Sequence, residues 1–273
     1  MHRASRGPML ASLPMYTTDR AANEALWSAL SRRLRALGLD DVPAALDWPG
    51  DLQAHWRRLD LLLSQTCGYP LATQLDGIVR VIGAFRYAAP GCLGIRYRSL
   101  IVARADDPAA DLAGFRGGIA AYNSRDSQSG YNSFRAAVAP LAVDGRFFGG
   151  TVETGGHRAS MEAVANGKAD IATIDCVTFA GVSRIEPALA EALKIVGETA
   201  TAPGLPLITR GSASEAEVGI LRRAIGDVVA DPALADIRSR LMIAGFEPID
   251  ADAYADIGAM ERTAIASGYP MLA

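Results

Sequence analysis

The chain has 273 residues, of which 50% are hydrophobic and 21% are charged, so it is long enough for one large domain or for two lobes of ordinary size. Its formal net charge of −3 excludes the overall basic field with which proteins attract nucleic acid or an anionic membrane. The three cysteines are too few for a disulfide framework and follow no zinc-binding spacing, so we expect neither a metal nor another cofactor.

The first part of the chain predicts strands and helices in alternation. An apolar run over residues 9–13 ends at Pro14 and predicts a strand, and apolar residues at helical spacing predict a helix over 20–37, which Gly38 ends. The elements predicted after this helix are a strand at 42–46, a short helix at 52–59, a buried strand at 60–63, a polar turn at 64–70, and strands at 78–85 and 99–103.

The same rhythm restarts near residue 106. The predicted strands are at 118–122, 151–154, 171–174, 193–196 and 207–209. The predicted helices run from about 127–130 to 138 and over 160–165, 215–230, 232–244 and 252–266. A turn or short helix is predicted at 111–115 and a linker at 198–206. Repeated alternation of strand and helix predicts an α/β fold with mainly parallel sheets.

Polar clusters follow the predicted strands. They lie at residues 14–18, 64–69, 123–131, 155–158 and 175. Ligands of parallel α/β sheets bind where the strands end, so this coincidence predicts a binding site at the carboxyl ends of the strands.

The stretch NSRDSQSGYNSF at 123–134 places small polar residues at the start of a predicted helix. The first turn of a helix has unpaired N–H groups and the positive end of the helix dipole. Ser127 and Ser129 add hydroxyl groups, and Gly130 permits close approach to the backbone, which together favour an oxyanion site. The alternative is plain capping of the helix by Asp126 or Ser127.

Two further residues have more than one interpretation. His157 follows two glycines at a helix start, where it could cap, pack or hydrogen-bond an anion. Asp175 ends an apolar strand, where it could cap the next helix or accept a hydrogen bond from a protonated anion or a ligand amine.

The segments DSQSGY and TGGHRASMEAVANGKADIATID resemble the phosphate-, phosphite- and phosphonate-binding proteins of ABC transporters, in a broader group that includes sulfonate and pyrimidine-precursor binders. The resemblance extends over about residues 9–250. It implies a type II periplasmic-binding-protein-like fold, in which two α/β lobes, joined by two crossing strands, close on a ligand in the cleft. Lobe one would comprise residues 1–103 and 199–273 and lobe two residues 104–198, with hinges at 100–104 and 198–202.

The resemblance also implies the ligand contacts by position. The oxyanion would be bound by Ser127, Gln128, Ser129 and Gly130. The cleft would also contain a histidine (His157), a carboxylate (Asp175) and a tyrosine (Tyr97). The first lobe would contribute Gln65 and Thr66, and we add Tyr16 from its place after the first strand. Gln128 departs from the family pattern, in which a small hydroxyl residue is common at that position. No second carboxylate that would hold a ligand amine is evident.

The expected function is that of a monomeric solute-binding protein for a small oxyanion, such as phosphate, phosphite or a phosphonate, with no catalysis. Transport would require a permease and an ATPase of an ABC transporter as partners. Residues 1–16 contain no apolar run of the length found in export signals, so the chain as given is expected in the cytoplasm, and in the periplasm if it is trimmed or its start is misplaced.

Two other functions remain open. A cytoplasmic enzyme of the same fold could act on a carboxylated small molecule, with His157 and Asp175 as an acid/base pair. A metal-linked role would use the cysteines at 67, 92 and 176 together with His157, and a Cys67–Cys92 disulfide is a separate alternative that a reducing cytoplasm disfavours.

Overall fold

The computed structural model describes residues 9–273, which divide into two compact units. The first unit comprises residues up to 67, 73–88 and 204–253, and the second comprises 68–72, 89–203 and 254–273. This division differs from the predicted lobes. The hinge predicted at 100–104 is part of the strand Ser99–Arg104, which lies inside the sheet of the second unit.

The first unit is built on a five-stranded sheet. Its strands are β1 (Leu10–Ala11), β2 (Leu61–Gln65), β3 (Val79–Tyr87), β11 (Pro206–Arg210) and β12 (Ile243–Glu247), in the order β1-β2-β11-β3-β12. Its helices are α1 (Arg20–Ala36), α2 (Leu52–Trp56), α8 (Glu215–Ala230) and α9 (Ala235–Arg240), while α3 (Gly68–Gln74) follows β2.

The core of the first unit forms where α1 and α8 cover the sheet. Trp27 and Leu30 of α1 and Leu221 of α8 are at most 1% exposed and share one apolar cluster with strand residues. Asp19 caps α1 by accepting from the N–H of Ala22 at 2.9 Å, and a capping box begins α8. Apolar spacing and capping residues in the sequence are therefore sufficient to explain both helices.

The second unit contains another five-stranded sheet and a two-stranded ribbon. The sheet strands are β5 (Ser99–Arg104), β6 (Ile119–Tyr122), β7 (Gly150–Glu153), β8 (Ile171–Asp175) and β9 (Leu193–Glu198), in the order β7-β6-β8-β5-β9, and β4 (Arg96–Tyr97) pairs with β10 (Ala202–Pro203) in the ribbon. Its main helices are α4 (Ser133–Val138), α5 (His157–Ala165), α6 (Cys176–Ile185), α7 (Pro187–Glu191) and α10 (Ala255–Ala266), and short 3₁₀ turns at Leu112–Phe115 and Ala139–Leu141 flank the sheet.

The C-terminal helix belongs to the second unit because polar groups fasten it there. The side-chain amide of Asn132 donates to the carbonyl of Ile257 at 3.1 Å, and buried Arg135 donates to the carbonyl of Pro270 at 2.9 Å. Tyr269 is fully buried in the apolar cluster around Phe134. Residues 254–273 were expected in the first lobe, and these contacts place them in the second unit instead.

Both five-stranded sheets are mixed, which corrects the prediction of mainly parallel sheets. The ladders of β6 with β7 and β8, and of β1 with β2, are parallel, whereas β5 and β11 run antiparallel to both of their neighbours. The alternating hydrophobic patterns in the sequence indicate that strands and helices follow one another along the chain. It does not indicate strand direction where the chain passes through the other unit before returning.

Three local predictions also need correction. The predicted strand at 42–46 has no strand pairing, although Val42 and Leu46 are buried in the core. The turn expected at 64–70 is the end of β2 followed by α3, and the helix expected at 232–244 ends at Arg240, after which β12 begins. Across residues 9–273, no helix combines the length and the apolarity that a membrane span requires.

Candidate functional site

The stretch 127–138 forms one continuous helical segment that begins at Ser127. A π-helical turn over Gln128–Asn132 leads directly into α4, and the N–H of Asn132 donates to the carbonyl of Ser127 at 2.9 Å. The Ser127 hydroxyl accepts from the N–H of Gly130 at 3.0 Å, which is the capping role allowed by the sequence. The N–H groups of Gln128 and Ser129 precede the intrahelical hydrogen bonds and are the donors that such a helix start offers to an anion.

The backbone of Ser129 is fixed by three hydroxyl groups from two strands and the helix itself. The hydroxyls of Ser99 in β5, Thr173 in β8 and Ser133 in α4 each donate to the Ser129 carbonyl at 2.9 Å. Because these residues are buried and their bonds converge on one oxygen, the helix start is anchored to the sheet. A rigid position of this kind preorganises the site for a ligand.

His157 contacts the side chain of Ser129. It is the first residue of α5, and its Nε2 lies 2.7 Å from the Ser129 hydroxyl oxygen. Burial lowers the pKa of His157 to about 4, and the backbone of Thr173 opposes this shift only in part. The imidazole is therefore neutral at pH 7, so it shares one proton with Ser129 and can act towards a ligand as a neutral donor or acceptor.

Gly130 leaves room for its neighbours beside this pair. A Cβ atom at Gly130 would lie 1.9 Å from Oδ1 of Asn123 and 3.2 Å from Cε1 of His157. Among the residues that the structure describes, no group hydrogen-bonds the buried Oδ1 of Asn123 or the buried Nδ1 of His157. Asn123 was not singled out from the sequence, although its place in the polar cluster directly after β6 was a usable signal.

The side chain of Gln128 is directed into the interior of the second unit. It is fully buried, its Oε1 accepts from the amide of Asn132 at 2.7 Å, and its Nε2 lies 3.3 Å from the sulfur of Met260. These bonds explain how a large amide is accommodated at this position. Of the polar groups of Gln128, only the backbone N–H lies at the helix start, where the sequence predicted contacts with an oxyanion.

Asp175 is the N-cap of α6. Its Oδ1 accepts from the N–H groups of Val177 and Thr178 at 2.7 and 3.0 Å. This is the capping alternative that the sequence left open. Nε2 of His157 is hydrogen-bonded to the Ser129 hydroxyl.

Tyr97 lies in β4, opposite Ala202 of β10, and it is 3% exposed. Its side chain is therefore buried. Its role as a ligand contact stays a prediction.

The residues predicted in the first unit form a group of their own. Gln65 ends β2, and its amide donates to the hydroxyl of Tyr87 at 3.1 Å. The ring of Tyr16 meets that of Tyr87 edge to face at a centroid distance of 5.0 Å, and Thr66 is buried next to Gln65. Tyr87 was not predicted from the sequence. Its position at the end of β3 nevertheless fits the expectation that ligand contacts lie where strands end.

A set of neighbouring Ser, His and Asp side chains in the first unit was also not identified from the sequence. The Ser12 hydroxyl lies 2.9 Å from Nε2 of His55 and 2.7 Å from the Ser64 hydroxyl, and Nδ1 of His55 lies 3.5 Å from Oδ2 of Asp47. Ser12 is 1% exposed and its oxygen already has two partners, so it is not positioned as a nucleophile. Ser12, Ser64 and His55 form a buried polar network beside β1 and β2, and Asp47 is exposed at its edge.

Nothing in residues 9–273 supports the metal-linked hypothesis. No group of three or more His, Cys, Asp or Glu side chains in this range could hold a metal ion. Cys67 lies in the first unit, whereas Cys92 and Cys176 lie in the second, with their sulfur atoms 3.5 Å apart.

Known proteins share a sequence pattern and the fold with this chain. A family model described as "ABC transporter, phosphonate, periplasmic substrate-binding protein" matches residues 17–254. A search of curated protein sequences returned no significant match.

Several solved structures share the fold at low sequence identity. A binding protein component of an ABC phosphonate transporter from Pseudomonas aeruginosa has a TM-score of 0.75 and 20% identity, covering 96% of this chain and 88% of that chain. PhnD1 from Prochlorococcus marinus, in complex with methylphosphonate, has a TM-score of 0.71 and 15% identity, covering 93% and 97%. XAC2383 from Xanthomonas citri, bound to ATP, has a TM-score of 0.71 and 17% identity, covering 94% and 97%. These likenesses confirm the predicted α/β fold of the periplasmic-binding-protein type.

Proposed function

Because the chain belongs to the family of periplasmic substrate-binding proteins of phosphonate ABC transporters, we propose that it binds a phosphonate or a closely related phosphorus oxyanion. Members of this family bind a substrate for transport and do not transform it, so the enzyme alternative is set aside. The partner implied by the family is the permease of an ABC transporter, which works with an ATPase.

The helix start at 127–130 is the observation that carries this proposal. The Ser129 hydroxyl, neutral His157 and the N–H groups of Gln128 and Ser129 are hydrogen-bonding groups on one anchored segment. The positive end of the helix dipole favours an anion at this place. All of these groups are uncharged. Such a set suits an oxyanion that is recognised by directed hydrogen bonds and not by an opposite charge.

The remaining predicted residues are proposed as ligand contacts, each within its own unit. In the second unit these are Asp175 and Tyr97, and a carboxylate next to an anion is favourable when the anion carries a proton that the carboxylate can accept. In the first unit they are Tyr16, Gln65 and Thr66. The aromatic pair of Tyr16 and Tyr87 offers apolar surface of the kind that an organic substituent on phosphorus requires.

Thermal unfolding in the presence of single ligands tests this proposal. The panel contains methylphosphonate, phosphite, phosphate, sulfate, benzoate and ATP. A ligand present at 100 times its dissociation constant should add about 2.7 kcal/mol to the free energy of unfolding. We expect stabilisation by phosphorus oxyanions and none by benzoate, and stabilisation by benzoate alone would contradict the proposal.

A pair of matched variants locates the site. Ser129→Ala removes the hydroxyl that contacts His157, whereas Ser183→Ala removes a hydroxyl that donates to the carbonyl of Phe179 inside α6. Ligand stabilisation should fall in the first variant and persist in the second. Equal stabilisation of both would remove the Ser129 hydroxyl from the site.

We further propose that the protein acts in the periplasm, where its family acts, and that it is a monomer. The cytoplasmic location expected from residues 1–16 is replaced by this proposal. Fractionation of cells that express the native gene and sedimentation of the purified chain test the two statements separately.

A further inference from the structure

Two thiols of the second unit lie close to each other although 84 positions separate them in the chain. The sulfur atoms of Cys92 and Cys176 are 3.5 Å apart. Both cysteines are free thiols, of which Cys92 is partly exposed and Cys176 is 1% exposed. From the sequence, a Cys67–Cys92 disulfide was only a disfavoured alternative, and the structure shows Cys176 next to Cys92.

The backbone on both sides is arranged so that the sulfur atoms can approach. Cys176 is the first residue of α6, and its N–H donates to the carbonyl of Arg98 at 3.1 Å. Gly91 lies against it, since a Cβ atom at Gly91 would be 3.1 Å from Cβ of Cys176. The φ angle of Gly91 is +97°, which glycine adopts readily, so this glycine permits both the turn and the close approach.

The distance between the two sulfur atoms is within reach of a covalent bond. A disulfide requires about 2 Å between its sulfur atoms, so they have to close by roughly 1.5 Å, which small rotations of two side chains can provide. The N–H of Cys92 donates to the carbonyl of Ala89 at 3.0 Å, so the segment that carries the exposed thiol is already folded back in a turn.

The electrostatic surroundings divide the roles of the two thiols. The hydrogen bond with Cys92 lowers the pKa of Cys176, whereas the hydrogen bond with Cys176 and burial raise the pKa of Cys92. Cys176 also lies at a helix N-terminus, which favours a thiolate. The first thiolate of the pair therefore forms on Cys176, while Cys92 is the one that solvent reaches.

We propose that Cys92 and Cys176 form a redox modification site, at which an intramolecular disulfide is made by exchange with a small-molecule disulfide. The Cys176 thiolate takes the proton of the Cys92 thiol while the Cys92 sulfur, which solvent reaches, attacks the small disulfide. This releases one small thiolate, which takes the proton from Cys176, and it leaves a mixed disulfide on Cys92. The thiolate of Cys176 then attacks the Cys92 sulfur and releases the second thiolate. The two protons lost by the protein pass to the released thiolates, so one small disulfide is reduced to two thiols.

The bond would join the turn at Cys92 to the start of α6, directly after Asp175. It closes a loop of more than 80 residues that contains all the strands from β4 to β8, so it restricts the unfolded chain far more than the folded one. We therefore expect the oxidised protein to be the more stable form. This inference goes beyond the proposed ligand binding and does not depend on it.

The test compares the full chain after incubation with oxidised glutathione and after reduction. The oxidised protein should be lighter by two hydrogen atoms, should protect two of its three thiols from alkylation, and should give a peptide that links Cys92 to Cys176. Its melting temperature should rise by several degrees, and reduction should reverse the rise. Cys67→Ser, which removes the thiol outside the pair, should keep all of these properties.

Variants of the pair separate its two steps. Cys176→Ser should stop at a stable glutathione adduct on Cys92, and Cys92→Ser should take up no glutathione at buried Cys176. The proposal is overturned if the unsubstituted chain keeps three reactive thiols, if it stops at the adduct on Cys92, or if Cys67 is found in the linked peptide. Because these readouts use the unsubstituted chain, a variant that fails to fold does not affect them.

Discussion

Substitution of Gly130 by alanine tests the packing of the site most directly. A glycine in a helix is ordinarily improved by alanine, by up to about 1 kcal/mol. At Gly130 the added methyl group would lie 1.9 Å from Oδ1 and 2.8 Å from Cγ of Asn123, and 3.2 Å from Cε1 of His157. Asn123 therefore has to leave its place, and the ring of His157 has to move by a few tenths of an ångström.

The expected effect follows from two opposing terms. Forced displacement of packed neighbours costs about 1–3 kcal/mol, and the helical preference of alanine returns at most about 1 kcal/mol. We expect Gly130→Ala to lower the free energy of unfolding by about 1–2 kcal/mol. Ligand binding should weaken as well, because His157 and the Ser129 hydroxyl share a bond of 2.7 Å that a shifted ring cannot keep.

The control is Gly219→Ala in α8, where no atom lies within 4 Å of the new Cβ and the position is exposed. This variant should be more stable than the unsubstituted protein by about 0.5–1 kcal/mol, with unchanged binding. Denaturant unfolding and titration with methylphosphonate measure both quantities. If Gly130→Ala proved as stable as Gly219→Ala and bound the ligand normally, the packing of Asn123 and His157 around Gly130 would be refuted.

Three further predictions follow from the structure. His157→Ala should raise the dissociation constant of a bound phosphorus oxyanion by about tenfold or more while a folded protein remains, and unchanged affinity in isothermal titration would exclude His157 from the site. Burial lowers the pKa of both His55 and His157 below the usual value of 6.5, to about 4 for His157. Their contribution to stability is therefore present above pH 6.5 and is lost as the pH falls towards 4. Denaturant unfolding at pH 7.5, 5.5 and 4.5 should show this loss of stability, and the loss should be smaller in His157→Asn. Arg135→Met should destabilise the protein by about 2–4 kcal/mol, because the carbonyl of Pro270 loses its buried partner, whereas the same change at exposed Arg32 should stay within about 0.5 kcal/mol in denaturant unfolding.

Part of the candidate site could be predicted because it depends on local chemistry. A hydroxyl residue before a helical pattern predicts a cap, and Ser127 caps the helix at Gly130. A carboxylate at the end of an apolar strand predicts either a cap or a ligand contact, and Asp175 caps α6. These interactions join residues two or three positions apart, so both partners lie within one short stretch of the sequence.

Other parts of the site depend on pairs that are distant in the chain. The bond between Ser129 and His157 joins helix starts 28 positions apart, and the inward direction of Gln128 depends on Met260, 132 positions away. Neither periodicity nor composition carries information about such contacts. Asn123 and Tyr87 were missed for the same reason, because a polar or aromatic residue at the end of a strand has a role only through its neighbours in space.

The sequence by itself determined the α/β character of the chain, the positions of helices such as α1 and α8, and the helix start that resembles an oxyanion site. These follow from apolar spacing, capping residues and turn residues, which act over a few positions. The tertiary structure alone decided the direction of β5 and β11, the membership of residues 254–273 in the second unit, and the meeting of Cys92 with Cys176. Strand direction and long-range contacts follow from how packed elements minimise exposed apolar surface and unpaired polar groups, and those quantities exist only once the chain is folded.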